Sequence, residues 1–219
     1  MNHNRCNLTK KRFHTMITYV MDINRTGLSD AKEKRLNMAR KISITKEMLI
    51  ESAFEMAREE GLREVTARKL ATRAGCSTQP IFRVYSCMDE MYDEVYQKAV
   101  AYFADFYSKY PGESDMPFVN LGMAYIDFAG KEPQLFRMLF LDDKRCDASL
   151  FGILNGDTNA LHQEIAKAKA QGAKDPSGIF MKMWIFIHGA ASMMTTGDYD
   201  LSMKQTEGLL VEAYASFVK

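Results

Sequence analysis

Residues 62 to 91, LREVTARKLATRAGCSTQPIFRVYSCMDEM, decide how the rest of the chain is read. Val65, Leu70, Ala71 and Ala74 recur at helical spacing, Thr66 is placed to cap the helix they form, and Gly75 sits where a left-handed residue would stop it. Ser77 is expected to cap a second short helix over 77–84. Pro80 is tolerated there because the first turn has backbone N–H groups without intrahelical partners. Two helices of about two turns joined by a Gly-containing connection have the shape of a helix-turn-helix. On pattern alone, ordinary packing of short helices accounts for the same residues.

The second helix divides its residues informatively. Ile81 and Tyr85 lie one turn apart and anchor it inward, while Thr78, Gln79, Pro80 and Phe82 fall on the other side. That outward face offers a hydroxyl, an amide and two apolar groups, and in a major groove Gln pairs with adenine while apolar groups meet the thymine methyl. Arg68, Lys69, Arg73 and Arg83 surround it with charge suited to phosphates.

From residue 49 to 91 the chain resembles the DNA-binding domain of the TetR family of bacterial transcriptional regulators. The resemblance is carried, without gaps, by Ile50, Ala53, Phe54, Ala57, Gly61, Thr66, Leu70, Ala71, Ala74, Gly75, Ser77, Ile81, Phe82, Arg83 and Tyr85. It implies DNA contacts from Thr66, Arg68, Lys69, Arg73, Ser77, Thr78, Gln79, Pro80, Phe82, Arg83 and Tyr85. The chain departs from the family where Phe82 replaces a Tyr and Met88 replaces a Lys, two positions that usually touch phosphate.

At 219 residues the chain has room for a small helical domain and a larger one with its own core. A formal charge of +1 excludes a globally basic coat, so DNA affinity must be local. Cys6, Cys76, Cys87 and Cys146 lack metal-ligand spacing and read as reduced thiols, which with no signal peptide points to the cytoplasm. The expected fold is all-α, with residues 1–42 a basic extension, 43–91 a three-helix DNA-binding domain and 92–219 a larger helical domain. Up to position 46, eleven Lys and Arg face three Asp and Glu. That segment is either an arm adding nonspecific DNA affinity or lies upstream of a natural start at Met38, the reading favoured by the absence of any family match before Arg40.

Helices are expected over 45–60, from 87 to about 110 with a Ser86–Asp89 capping box, over 118–129, 133–141, 148–171, 176–196 and 201–218. Gly130 and Pro133 should separate the third and fourth, and residues 155–157 should kink the fifth. The long helix beginning near 87 joins the two domains, and a small tilt of it would move the reading helix. Tyr102, Phe106, Tyr125, Phe128, Phe136 and Phe140 supply aromatic surface that suits an apolar ligand cavity, although aromatic stripes at helical spacing are more often plain core.

Trp184 and His188 share a helical face. Trp184-x-x-x-His188-Gly189, with Pro133-x-Leu135-Phe136-Arg137, resembles the C-terminal domain of a TetR branch with a Trp-His-Gly signature. The family resemblance implies a homodimer formed through the last two helices, a palindromic double-stranded DNA operator, and release by a small effector that Trp184 and His188 would help bind. His188 also reads as a hydrogen-bonded core histidine. His3, His14, His162 and His188 have no carboxylate or cysteine at ligand or triad spacing, so an enzyme is not indicated and no metal or cofactor is expected. The rival reading is a helical ligand-binding or partner-binding protein whose DNA reader has degenerated.

Overall fold

Helix α1, Lys46–Glu60, begins where the Thr45 hydroxyl accepts the Met48 N–H and ends at Gly61. A computed structural model describes residues 44–142, 152–153 and 159–219, all within one unit spanning Ile44–Lys219. The basic extension, Cys6, Cys146, His3, His14 and the expected kink at 155–157 lie outside the described residues. Leu49, Ala53, Phe54 and Ala57 form the buried stripe of α1. A short 3-10 turn, Leu62–Glu64, leads to α2, Ala67–Arg73, whose first turn is capped by the Thr66 hydroxyl accepting the Lys69 N–H.

Gly75 closes α2 at φ +65°. Its N–H donates to Thr72 O and the Cys76 N–H to Ala71 O, the paired arrangement in which a left-handed residue satisfies the last carbonyls. Helix α3 is shorter than expected, Ile81–Val84, and Ser77 does not cap it. Helical hydrogen bonding reaches back only to the Thr78 carbonyl, which accepts from Ile81 and Phe82. Pro80, lacking an N–H, stands as the N-cap, so residues 78–80 make a turn rather than a regular first turn of helix.

Helix α4, Met88–Ser108, also corrects its expected start. The helix begins one residue later at an N-cap of Cys87, and the Glu90 side chain reaches back to accept the Ser86 N–H at 2.8 Å. Residues 91 and 92, where the two expected domains meet, lie inside α4, the helix expected to join them. α4 packs against α1 along part of its length.

Helix α5, Val119–Lys131, is the central element of the larger part, buried almost all round. It is preceded by Phe118, a bulky residue held at φ +65°, whose ring is buried against Phe180 and Tyr214 and whose N–H donates to Glu164. Gly130 does not interrupt α5, contrary to expectation. The break falls at Glu132, because the following Pro133 disfavours helical backbone at the residue before it. Helix α6, Pro133–Phe136, continues as a π-helical turn, Arg137–Leu141, closed by the Asp142 N–H on Arg137 O. α6 packs against both α1 and α5.

Of the expected helix over 148–171, α7, Ala160–Ala170, is described. Helix α8, Pro176–Thr196, runs as expected and ends at Gly197. Helix α9, Met203–Val218, starts two residues later than expected, at a capping box made by Ser202 and Gln205. Both α8 and α9 pack on α5. They come so close that a Cβ at Gly122 would meet Ile187 Cδ1 at 2.8 Å and Leu210 Cδ1 at 2.9 Å. The described residues contain helices and turns and no strand, the all-α class expected from the sequence. No described helix is long and apolar enough to cross a membrane.

Candidate nucleic-acid interface and ligand cleft

Helix α3 is held by two side chains. Ile81 is fully buried, and Tyr85 is nearly so, with its hydroxyl donating to Glu94 at 3.0 Å. Burial, followed by the neighbouring Glu94 carboxylate, pushes the Tyr85 phenol well above its ordinary pKa. Tyr85, expected among the DNA contacts, is therefore an anchor committed to the interior. The opposite side is open: Ser77, Thr78, Gln79 and Arg83 are exposed, Pro80 is half-buried, and Phe82 is 53% exposed. A phenyl ring left that far in water on a helix whose other side is fully buried is an exposed feature that packing does not explain.

The surrounding cations are not equivalent. Lys69 is held between Glu60 at 3.0 Å and Glu64 at 2.6 Å, and Arg73 makes a two-pronged pair with Glu59 at 2.6 and 2.8 Å. Hydrogen bonding to Glu64 raises the Lys69 pKa, and hydrogen bonding to Glu59 raises that of Arg73. Arg68 and Arg83 are exposed, and among the described residues no acidic side chain is paired with either. Thr66 spends its hydroxyl as the α2 cap. Sequence pattern placed all four basic residues on an equal footing. The acids at 59, 60 and 64 were visible in the sequence, but their pairing depends on the turn between α1 and α2.

The eight aromatic and histidine residues expected to bind a ligand separate into two groups. Tyr125 is the hub of one, with Phe140 and Trp184 ring centroids each at 4.8 Å and Phe136 at 5.0 Å. Its hydroxyl shares a 3.0 Å hydrogen bond with His188 Nδ1, and the imidazole stacks on Trp184 at 5.6 Å. Burial raises the Tyr125 pKa and lowers that of His188, which favours the neutral forms of both. Phe128 joins this packed group to Phe106, at 5.3 Å. His188 is thus a half-buried histidine hydrogen-bonded within this group.

Tyr102 and Phe106 form the other group. They line an open cleft of about 510 Å³ together with Asp105, Lys109, Tyr110, Pro111, Asp127, Lys131 and Met203. Lys109 pairs with Asp105 and Lys131 with Asp127, each at 2.7 Å. The acids and Met203 were not anticipated. Asp127 had a usable signal, being the one carboxylate in the mostly apolar α5.

A second unanticipated cluster lies where α1 meets α6. Arg58 grips the buried Glu132 carboxylate with Nε at 2.7 Å and one terminal nitrogen at 2.6 Å, and the Tyr102 hydroxyl donates to the same carboxylate at 2.9 Å. The guanidinium also lies 5.3 Å from the Tyr102 ring centroid. Hydrogen bonding to Glu132 holds the Arg58 pKa above its ordinary value. Helix α1 is thereby tied to the larger part by a two-pronged ion pair that shares Tyr102 with the cleft.

A further exposed feature runs along α8. Met181, Ile185 and Met193 recur on one face, with Ile185 67% exposed, and Gly189 lies between them with open space above its Cα. Residues 118–216 match the family model of the tetracyclin repressor-like C-terminal domain. No curated protein matches the chain.

Proposed function

We propose that the chain, whose residues 118–216 match the tetracyclin repressor-like C-terminal domain, is a regulator of that family: a repressor that binds a palindromic operator as a homodimer and leaves it when a small molecule occupies the larger helical domain. The observation that carries the reading is the two-sided character of α3. Ile81 and Tyr85 fix one side, leaving Thr78, Gln79, Phe82 and Arg83 to face a major groove. Gln79 reads adenine, Phe82 meets a thymine methyl, and Arg68 and Arg83 take phosphates without first giving up a carboxylate partner.

The apolar stripe on α8 supports dimerisation through α8 and α9, which sets two reading helices one DNA turn apart. The branch with a Trp-His-Gly signature, a bacterial source and a cytoplasmic location belong to the same proposal. An effector that releases the operator must bind more weakly to the DNA-bound form, with couplings of typically about 1–3 kcal/mol.

The pairing of Lys69 and Arg73 with acids, and the brevity of α3, favour one alternative: a ligand-binding or partner-binding protein whose DNA reader has degenerated. Mixing the full chain with random duplex DNA at moderate salt and sequencing the bound fraction separates the two. Enrichment of a palindrome with half-sites about one helical turn apart is expected of the regulator. Weak, salt-sensitive retention without enrichment returns the alternative.

A further inference from the structure

The cleft beside Tyr102 holds two ion pairs with opposite exposure. Asp127 lies on α5 with its side chain only 15% exposed, whereas the Lys131 side chain paired with it is 63% exposed. The fixed, inner charge is the carboxylate and the outer, easily displaced one is the ammonium. Because the ammonium end is solvent-exposed, it can leave for water when another cation takes its place beside the carboxylate. Lys131 Nζ also lies 5.7 Å from the centre of the Phe106 ring, the placement of a cation over an aromatic face.

The chain's own ammonium thus occupies a spot with a carboxylate on one side and a ring on another. Asp105 and its paired Lys109 stand at the same cleft, and burial, followed by the carboxylates of Asp127, Glu207 and Glu113, raises the Tyr110 pKa. The rings of Tyr102, Phe106 and Tyr110 supply apolar walls, and about 510 Å³ accommodates a ligand of one or two rings.

We propose that this cleft binds an aromatic organic cation, whose charged group displaces Lys131 from Asp127 and Phe106, and that Tyr102 relays its arrival through Glu132 to Arg58 on α1. Tyr102 is the one residue common to the cleft and the Arg58–Glu132 pair. A ring inserted beside it shifts its hydroxyl, and a carboxylate that loses that donor holds the guanidinium differently. The site names the effector class of the regulator described above and rests on that reading, but its occupancy does not require DNA.

Calorimetric titration of the full chain with benzyltrimethylammonium, neutral N,N-dimethylbenzamide and anionic phenylacetate tests it. The ammonium compound is expected to bind, with Asp127→Asn weakening it about tenfold and Lys131→Ala tightening it about threefold by removing the internal competitor. A site for anions reverses both responses. Absence of heat from the ammonium compound, preference for phenylacetate, or weakening by Lys131→Ala overturns the site.

The relay is read by hydrogen exchange of the α1 amides over 46–60. Benzyltrimethylammonium at saturation should change their exchange in the wild type and leave it unchanged in Arg58→Met, whose side chain lies outside the cleft. An identical response in both chains overturns the relay. Cation binding with these responses, in a chain that enriches no DNA sequence, supports the cleft and defeats only the regulator reading.

Discussion

The reading unit, α1 to α3, and the body built around α5 are stabilised in different ways. In the body, Phe103, Tyr125, Phe128 and Phe136 are buried or nearly so and contact one another edge to face, so each is supported by several neighbours. In the reading unit, α3 depends mainly on Ile81 and Tyr85, and its surroundings are tied by exposed ion pairs. The lesson is one of division of labour. Apolar packing makes a rigid body, while a lightly anchored helix leaves its polar face free and lets a change at its supports alter its position.

Two truncations probe this contrast most strongly. Phe128→Ala should lower global stability by about 3–5 kcal/mol, visible as a shifted denaturation midpoint with a single transition. Ile81→Ala, although its side chain is equally buried, should mainly open α2 and α3, seen as faster amide exchange over 67–85 with little change at α5. A uniform loss of protection in both variants would erase the distinction.

The connection between the two regions comes next in size. Arg58→Ala leaves the buried Glu132 carboxylate without its main partner. It should cost about 2 kcal/mol, less than a fully buried pair because Arg58 is partly exposed. Replacing Arg58 by Met and Glu132 by Leu together should recover much of that stability while removing the α1 response to ligand. Equal losses in the single and double variants, in urea unfolding, would assign the cost to packing instead.

A smaller effect is pH-dependent and confined to the body. Burial depresses the His188 pKa, so the unfolded chain takes up that proton more readily. The stability tied to the neutral imidazole is complete above an unfolded value of about 6.5 and is lost as pH falls through the folded value. Urea unfolding at descending pH should show this loss in the wild type and a flatter profile in His188→Gln. The same slope in both would remove His188 as its source.

The smallest expected effects separate the cations of the reading unit. Arg83→Ala should reduce the salt dependence of DNA binding by about one unit of slope. Lys69→Ala should reduce it less, because Lys69 already holds Glu60 and Glu64. Affinity measured across a salt series gives both slopes, and a larger effect from Lys69 would reverse this ranking.

Helix order and most helix ends were legible because local chemistry writes them: Thr45 and Thr66 cap, and Gly61, Gly75 and Gly197 close. The errors fell where neighbouring local signals compete, as when the α4 N-cap fell on Cys87 with Glu90 accepting from the Ser86 N–H, or when Pro133 moved the end of α5 past Gly130. The outward face of α3 was legible from helical spacing alone. The cleft was not, because aromatic spacing does not separate core from cavity, and Tyr125 and Tyr102 differ in what α8 and α9 place against them. Nor did any local pattern pair Arg58 with Glu132, 74 positions apart.

The central claim is that the exposed face of α3 reads DNA, and sequence selection from random duplexes by the wild type and Gln79→Ala side by side tests it most directly. The account predicts a palindrome for the wild type and, for the variant, the same half-site spacing with relaxed preference at one position per half-site, worth about 1–3 kcal/mol of discrimination. Enrichment of an identical sequence by both chains, or of none by either, would contradict it.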